Sequence, residues 1–133
     1  MPSNAPITVK DGKSTPSDHV FVPTRIDKDN KAFFAENVGA SLQGRPQLSY
    51  VTSGGVGGAA HKVALQITVP KLVTVTDGAG TREVVQHTPI AKTEFVFQST
   101  TSAQERKDMR MLMANALIHA TLGPAIDNVE SFW

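Results

Sequence analysis

Cysteine is absent from the 133 residues, which excludes disulfides and thiolate metal sites and leaves the redox compartment undetermined. Whatever holds the fold together must therefore be packing and hydrogen bonding. No run of eighteen apolar residues is present, so nothing in the chain reads as a membrane-spanning helix. The first residues, MPSNAPITVK, lack the basic and apolar regions of a signal peptide, which places the chain inside a cell when made. Charge of neither sign dominates, with 13 Lys and Arg against 12 Asp and Glu and a formal net charge of +1. The balance says little about partners, because nucleic-acid binding depends on how cations cluster more than on their sum. A chain of this length forms one domain, residues 1–133, small enough that oligomerisation would add to its stability.

What is present is clearest between Pro89 and Leu122, where two hydrophobic periods adjoin. From Ala91 to Gln98 the period is two: Ala91, Thr93, Phe95 and Phe97 share one face, and Ile90, Lys92, Glu94 and Val96 the other. From Met109 onward Met109, Leu112, Met113, Ala116, Leu117 and Ala120 recur three and four apart, the spacing of one helix face. Ser102 followed by Glu105 has the spacing of a capping box, and Gly123-Pro124 supplies a stop, so a helix is expected over Ala103 to Thr121.

Upstream, Ile7–Lys10 and His19–Val22 flank Asp11-Gly12 and read as an N-terminal hairpin, followed by a polar loop from Arg25 to Asn30. Lys31–Val38 fits a helix face through Phe34 and Val38, and a strand face through Lys31, Phe33, Ala35 and Asn37. Arg45–Thr52 reads as a strand with Leu48 and Tyr50 on one side and Arg45, Gln47, Ser49 and Val51 on the other. The clearest strand is in His61–Thr76, where Val63, Leu65, Ile67 and Val69 alternate with Lys62, Ala64, Gln66 and Thr68, the signature of an antiparallel sheet with one packed face. Pro70 predicts a bend or edge, Asp77–Gly80 a turn, and Thr81–Thr88 an exposed loop with some extended structure. After Pro124 a second short helix should carry Ile126 and Val129 on one side. Strands first and two helices last make the class α+β.

No catalytic constellation emerges. His19, His61, His87 and His119 show no H-x-x-x-H or H-E-x-x-H spacing, there is no G-x-S-x-G elbow, and the glycine-rich Ser53–Ala60 is not followed by GK[ST]. The expectation is no enzyme, no metal and no cofactor. His119 fits the cation-favouring end of the long helix, and Met109, Met111 and Met113 read as packing residues. One grouping carries more. If the apolar sides of the strands face the helices, then Lys31, Arg45, Lys62 and Lys92 gather on the opposite side with Gln47, Ser49, Gln66 and Ile90. Such a surface can be an ordinary solvated sheet face or a platform for RNA; Glu94 on the same side weakens the second reading.

The order of elements and several runs, FFAENVGASLQGRPQLSYV from Phe33, HKVALQITVPKLVTVTDGAG from His61, AKTEFVFQSTTSAQERKDM from Ala91 and the ending AIDNVESFW, resemble the coat proteins of levivirus-type single-stranded RNA bacteriophages. The resemblance implies an N-terminal β-hairpin, a five-stranded antiparallel sheet and two C-terminal helices, with Lys31–Val38 as the first strand of the sheet. It implies an interlocked homodimer whose helices cross the partner's sheet through Met109, Leu112, Met113, Ala116 and Leu117. It also implies an icosahedral shell around genomic RNA, located in the virion and assembled in the bacterial host cytoplasm, with no membrane partner. The region Asp77–Thr88 corresponds to the loop that such proteins place around the shell's symmetry axes. Carried over by position, the RNA-facing residues are Lys31, Arg45, Gln47, Ser49, Lys62, Gln66, Ile90 and Lys92. Where relatives form an adenine pocket from hydroxyl residues and a lysine this chain has Ala64 and Gln66, and where some stack a tyrosine it has Ile90. These departures favour packaging of RNA by charge over recognition of one stem-loop for replicase repression. A small dimeric RNA-binding module that forms no shell is the alternative, and an enzyme would require His61, His87 and a carboxylate to converge.

Overall fold

The computed structural model describes residues 3–39, 41–54 and 60–132. The chain forms two compact units, the strands up to Val96 and the helical segment from Phe97 onward. Most of the glycine-rich Ser53–Ala60, whose composition suits a flexible hairpin loop, lies outside the described residues.

In the first unit β1 (Ile7–Lys10), β2 (Asp18–Ile26), β3 (Ala32–Glu36), β4 (Gln47–Ser53), β5 (His61–Thr68) and β8 (Ile90–Phe97) form one sheet in that order. The hairpin is continuous with the sheet through the antiparallel β2–β3 ladder. Strands β6 (Lys71–Asp77) and β7 (Gly80–His87) pair with each other as a separate ribbon. The α+β class and the succession of hairpin, antiparallel sheet and two C-terminal helices are those implied by the sequence. Lys31–Val38 resolves as strand, since Phe34 packs opposite Leu48 in a sheet rather than along a helix.

Register explains the core. Among the described residues Phe21, Phe34 and Leu48 are the buried hydrophobic ones, packed with Val9, Ala32, Leu65 and Ile67. The pairs Ile7–Phe21, Phe34–Leu48 and Leu48–Ile67 lie directly across from one another, so all these side chains project from one face. Between β3 and β4 a single 3-10 turn, Leu42–Gly44, is capped by the Ser41 hydroxyl, which accepts from the Gln43 N–H at 3.3 Å. Gly44 is buried under Leu72, and a β-carbon placed there would collide with the leucine side chain.

Two loop expectations are corrected. Arg25 and Ile26 belong to β2, and the turn starts only at Asp27, where Asn30 adopts φ 58°, a left-handed conformation that asparagine tolerates. Thr81–Thr88 is mostly strand: a two-residue turn at Gly78-Ala79 lets Val75 pair with Arg82 and Val73 with Val84. The Asp77 carboxylate accepts from the Ala79 N–H at 2.9 Å and fixes that turn. The ladder makes β7 a strand with little apolar periodicity to announce it.

In the second unit α1 spans Ala103–Leu117 and α2 Leu122–Asn128, and the two helices touch. The capping box is present: Ser102 Oγ accepts from the Glu105 N–H at 3.2 Å, and Glu105 Oε2 accepts from the Ser102 N–H at 2.6 Å. That backbone N–H, followed by the Ser102 hydroxyl, holds the Glu105 carboxyl below its ordinary range. The helix ends four residues sooner than expected. His119 therefore lies beyond it, where its Nδ1 accepts from the Thr121 N–H at 3.2 Å, and it does not cap the dipole of α1. Gly123 and Pro124 begin α2 instead of stopping α1, because a proline in a first helical turn sacrifices no hydrogen bond. Val129, expected on a face of α2, is its C-cap, left-handed at φ 57° and 90% exposed.

Candidate nucleic-acid interface

Opposite the core lies a polar face whose members follow from the ladders. Gln47, Ser49, Val51 and Ser53 of β4 stand across from Thr68, Gln66, Ala64 and Lys62 of β5. On the other side Gln47 faces Ala35, and Ser49 faces Phe33. Lys62 Nζ lies 3.8 Å from Glu94 Oε1, which puts Glu94, and by alternation Ile90, Lys92 and Val96, on this same face of β8. Thr93, Phe95 and Phe97 are more buried than their neighbours, as their place on the opposite face requires. The strands thus bring together Gln47, Ser49, Lys62, Gln66, Ile90 and Lys92 of the expected set.

The remaining two expected residues are placed differently. Lys31 precedes β3 and holds its Nζ 5.0 Å from the centre of the Phe33 ring. Arg45 is not a strand residue: it follows the 3-10 turn, and its Nε is buried without a hydrogen-bond partner. It lines a cavity of about 230 Å³ with Thr24, Arg25, Phe33, Ala35 and Gln47. Arg25 is a cation that periodicity alone missed. The β2–β3 register shifts between Pro23 and Arg25, so Arg25 comes to pair with Phe33, and its guanidinium stacks 4.2 Å from that ring. The only signal for this in the chain is Pro23, since a proline within a strand marks a bulge or an edge.

Anions temper the face. Glu94 approaches Lys62, and Asp27 Oδ1 lies 3.3 Å from Arg25 Nε, both as exposed pairs of little energetic weight. Gln66 Nε2 donates to Thr68 Oγ1 at 3.2 Å, which orients its amide along β5. The arrangement offers cations, amides, a hydroxyl and an aromatic ring on one surface, the donor set that binds phosphates and bases. Among the described residues no group of three or more His, Asp or Glu could hold a metal ion, and no helix is long and apolar enough to cross a membrane.

A different cluster sits on the core side. Glu36, 7% exposed, accepts from His19 Nδ1 at 2.9 Å, and His19 Nε2 lies 3.3 Å from Asp11 Oδ2. Glu36 first and Asp11 second raise the histidine above its ordinary pKa by bonding its charged form. The Ser17 N–H, then the Lys13 ammonium, hold the Asp11 carboxyl well below the usual range. Joining the β1–β2 loop to β3, the cluster is a structural tie.

Compared with known proteins, the sequence matches the family described as levivirus coat protein over residues 2–133. The chain belongs to the levivirus coat protein family. A curated relative, the capsid protein of Pseudomonas phage PRR1, is 29% identical over 113 residues, covering 84% of this chain and 82% of the relative. Among solved structures, a virus-like particle of bacteriophage ESE058 matches with a TM-score of 0.88 and 27% identity, covering 99% of this chain and 100% of the other. The capsid protein of bacteriophage GA shares the fold at a TM-score of 0.77 and 15% identity, with 97% of each chain covered. As a levivirus coat protein the chain has a structural role and is not an enzyme.

Proposed function

We propose that this coat protein dimerises, assembles into an icosahedral shell and encloses single-stranded RNA against the polar face of its sheet, within the virion. The observation that carries the reading is the state of α1. Met109, Leu112, Met113 and Leu117 share one helix face, yet Leu112 is 64% exposed and the other three are exposed as well, with Ala116 half-buried. An apolar stripe of this kind marks a surface made for another protein chain. A second copy is the occupant that supports the reading, with the helices of one chain across the sheet of the other. The ESE058 relative, solved as a virus-like particle, adds support for shell assembly.

Doubling Lys31, Arg45, Lys62 and Lys92 across a two-fold axis gives a basic strip that one chain lacks. RNA held by that strip is bound by charge, since Ala64, Gln66 and Ile90 supply neither a hydroxyl-lined pocket nor a stacking tyrosine. Repression of replicase translation through one stem-loop is accordingly the secondary role. The test is expression of this chain alone, negative-stain microscopy and absorbance at 260 and 280 nm. Particles containing nucleic acid are expected. A monomer at high concentration, free of RNA, overturns the proposal, and a dimer that never elutes in the void volume would favour a binding module without a shell.

A further inference from the structure

Resting on the reading that RNA lies on the polar face, we infer that the cavity beside the β2 bulge is a phosphate subsite for single-stranded RNA, built by Arg45 and Arg25. Among the described residues Arg45 Nε is the buried side-chain nitrogen without an acceptor. A buried guanidinium nitrogen without an acceptor is costly, so an acceptor brought by a ligand would relieve it. Arg45 also lines a cavity of about 230 Å³, smaller than a site for a whole drug-sized ligand but with room for one group of a polymer.

The chemistry of the walls selects the group. Arg25 is set over the Phe33 ring at 4.2 Å, which holds its planar fork in place and lowers the ordering lost on binding. Its Nε faces Asp27 at 3.3 Å, leaving the terminal nitrogens as donors. Gln47 adds an amide, whereas the Thr24 hydroxyl is occupied, donating to the Phe33 carbonyl at 3.0 Å. Two guanidiniums, an amide and no carboxylate among the lining residues suit a phosphate. Ala35 and Gln47 face each other across the β3–β4 ladder, so the cavity borders the row of Ser49 and Gln66. A strand of RNA crossing Lys92 and Lys62 can end a run of contacts here.

The experiment uses full-length protein, a fluorescein-labelled short oligouridylate and graded sodium chloride. R45Q should weaken binding roughly tenfold to a hundredfold at low salt, the loss of charge-assisted hydrogen bonds, and lower the log-log salt slope by about 0.7 for the phosphate released. R25Q should act in the same direction, and R45K should keep most of the slope while losing affinity. Inorganic phosphate should compete with the oligonucleotide more weakly in R45Q than in the parent. If R45Q and R25Q bind like the parent while K62A and K92A lose affinity, the subsite is refuted and the RNA face stands. Should all four bind like the parent, the RNA reading falls with it. Because Arg45 is partly buried and a variant can misfold, photocrosslinking of the unaltered protein to 4-thiouridine RNA gives a second readout. Crosslinks in 24–35 and at 45–47 are expected; crosslinks confined to β5 and β8 overturn the subsite.

Discussion

Replacing His19 with alanine tests the tie between hairpin and sheet. The ring bridges Glu36 and Asp11, and it donates to both carboxylates only as the doubly protonated imidazolium. A hydrogen bond to a charged group contributes about 1.5–3 kcal/mol; the Asp11 contact, at 3.3 Å and nearer solvent, adds at most a fraction. With a third of the His19 side chain exposed, the lower part of that range applies, so H19A should cost about 2 kcal/mol near pH 6, or roughly 6–8 °C in Tm for a chain of this length. The sign with pH follows from the raised pKa. The stabilisation is fully present below the unfolded value of about 6.5 and is lost as pH rises through the higher native value. Urea unfolding followed by circular dichroism, at fixed protein concentration because any self-association shifts the midpoint, should show parent and H19A converging from pH 6 towards pH 10. Lys13 also faces Asp11, so K13A is the control that changes neighbouring charge without removing the bridge. Parallel stability curves for parent and H19A across that range would refute the reasoning, as would a double-mutant cycle with E36Q showing no coupling.

Other substitutions probe separate parts of the molecule. Ser102→Ala removes one half of the capping box and should cost about 1 kcal/mol, read from thermal melting of the α-helical signal. Gly44→Ala forces Leu72 aside and should destabilise by about 1–3 kcal/mol, whereas G44A combined with L72A should recover part of that loss. Val129→Gly should raise stability by about 1 kcal/mol, since the left-handed C-cap disfavours a β-branched side chain. If the proposed assembly holds, the double change Leu112→Asp with Leu117→Asp should leave only monomer by light scattering, while Lys92→Ala should leave the oligomeric state unchanged and reduce RNA content.

The parts of the fold legible in the sequence were those where one local rule acts alone. Strict alternation from Lys62 to Val69 placed both faces of β5, and Ser102 with Glu105 marked the start of α1. Two signals were misjudged where a neighbour decides the outcome. β7 is held by pairing with β6 rather than by burial, so Thr81–Thr88 carries little periodicity. Gly123-Pro124 is compatible with both a helix end and a helix start, and the early turn at Ile118 selects the start. In the candidate site Gln47, Ser49, Lys62, Gln66, Ile90 and Lys92 followed from alternation, but the Arg25–Phe33 stack and the buried Arg45 nitrogen depend on how the chain enters β4 and leaves register in β2. Neither is written in spacing.

The irregularity at Thr24 has an evolutionary side. Phe21 and Pro23 point to the core, and an unbroken strand would send Arg25 there too, two residues on. One added residue reverses the parity of everything after it, delivering Arg25 to the polar face and returning Ile26 to the side of Ala32. Deleting Thr24 would therefore act on every later position of β2 at once, whereas a deletion in the turn at 27–30 would only shorten a connection. Length variation among related coat proteins should be tolerated in that turn and purged one turn of sequence earlier.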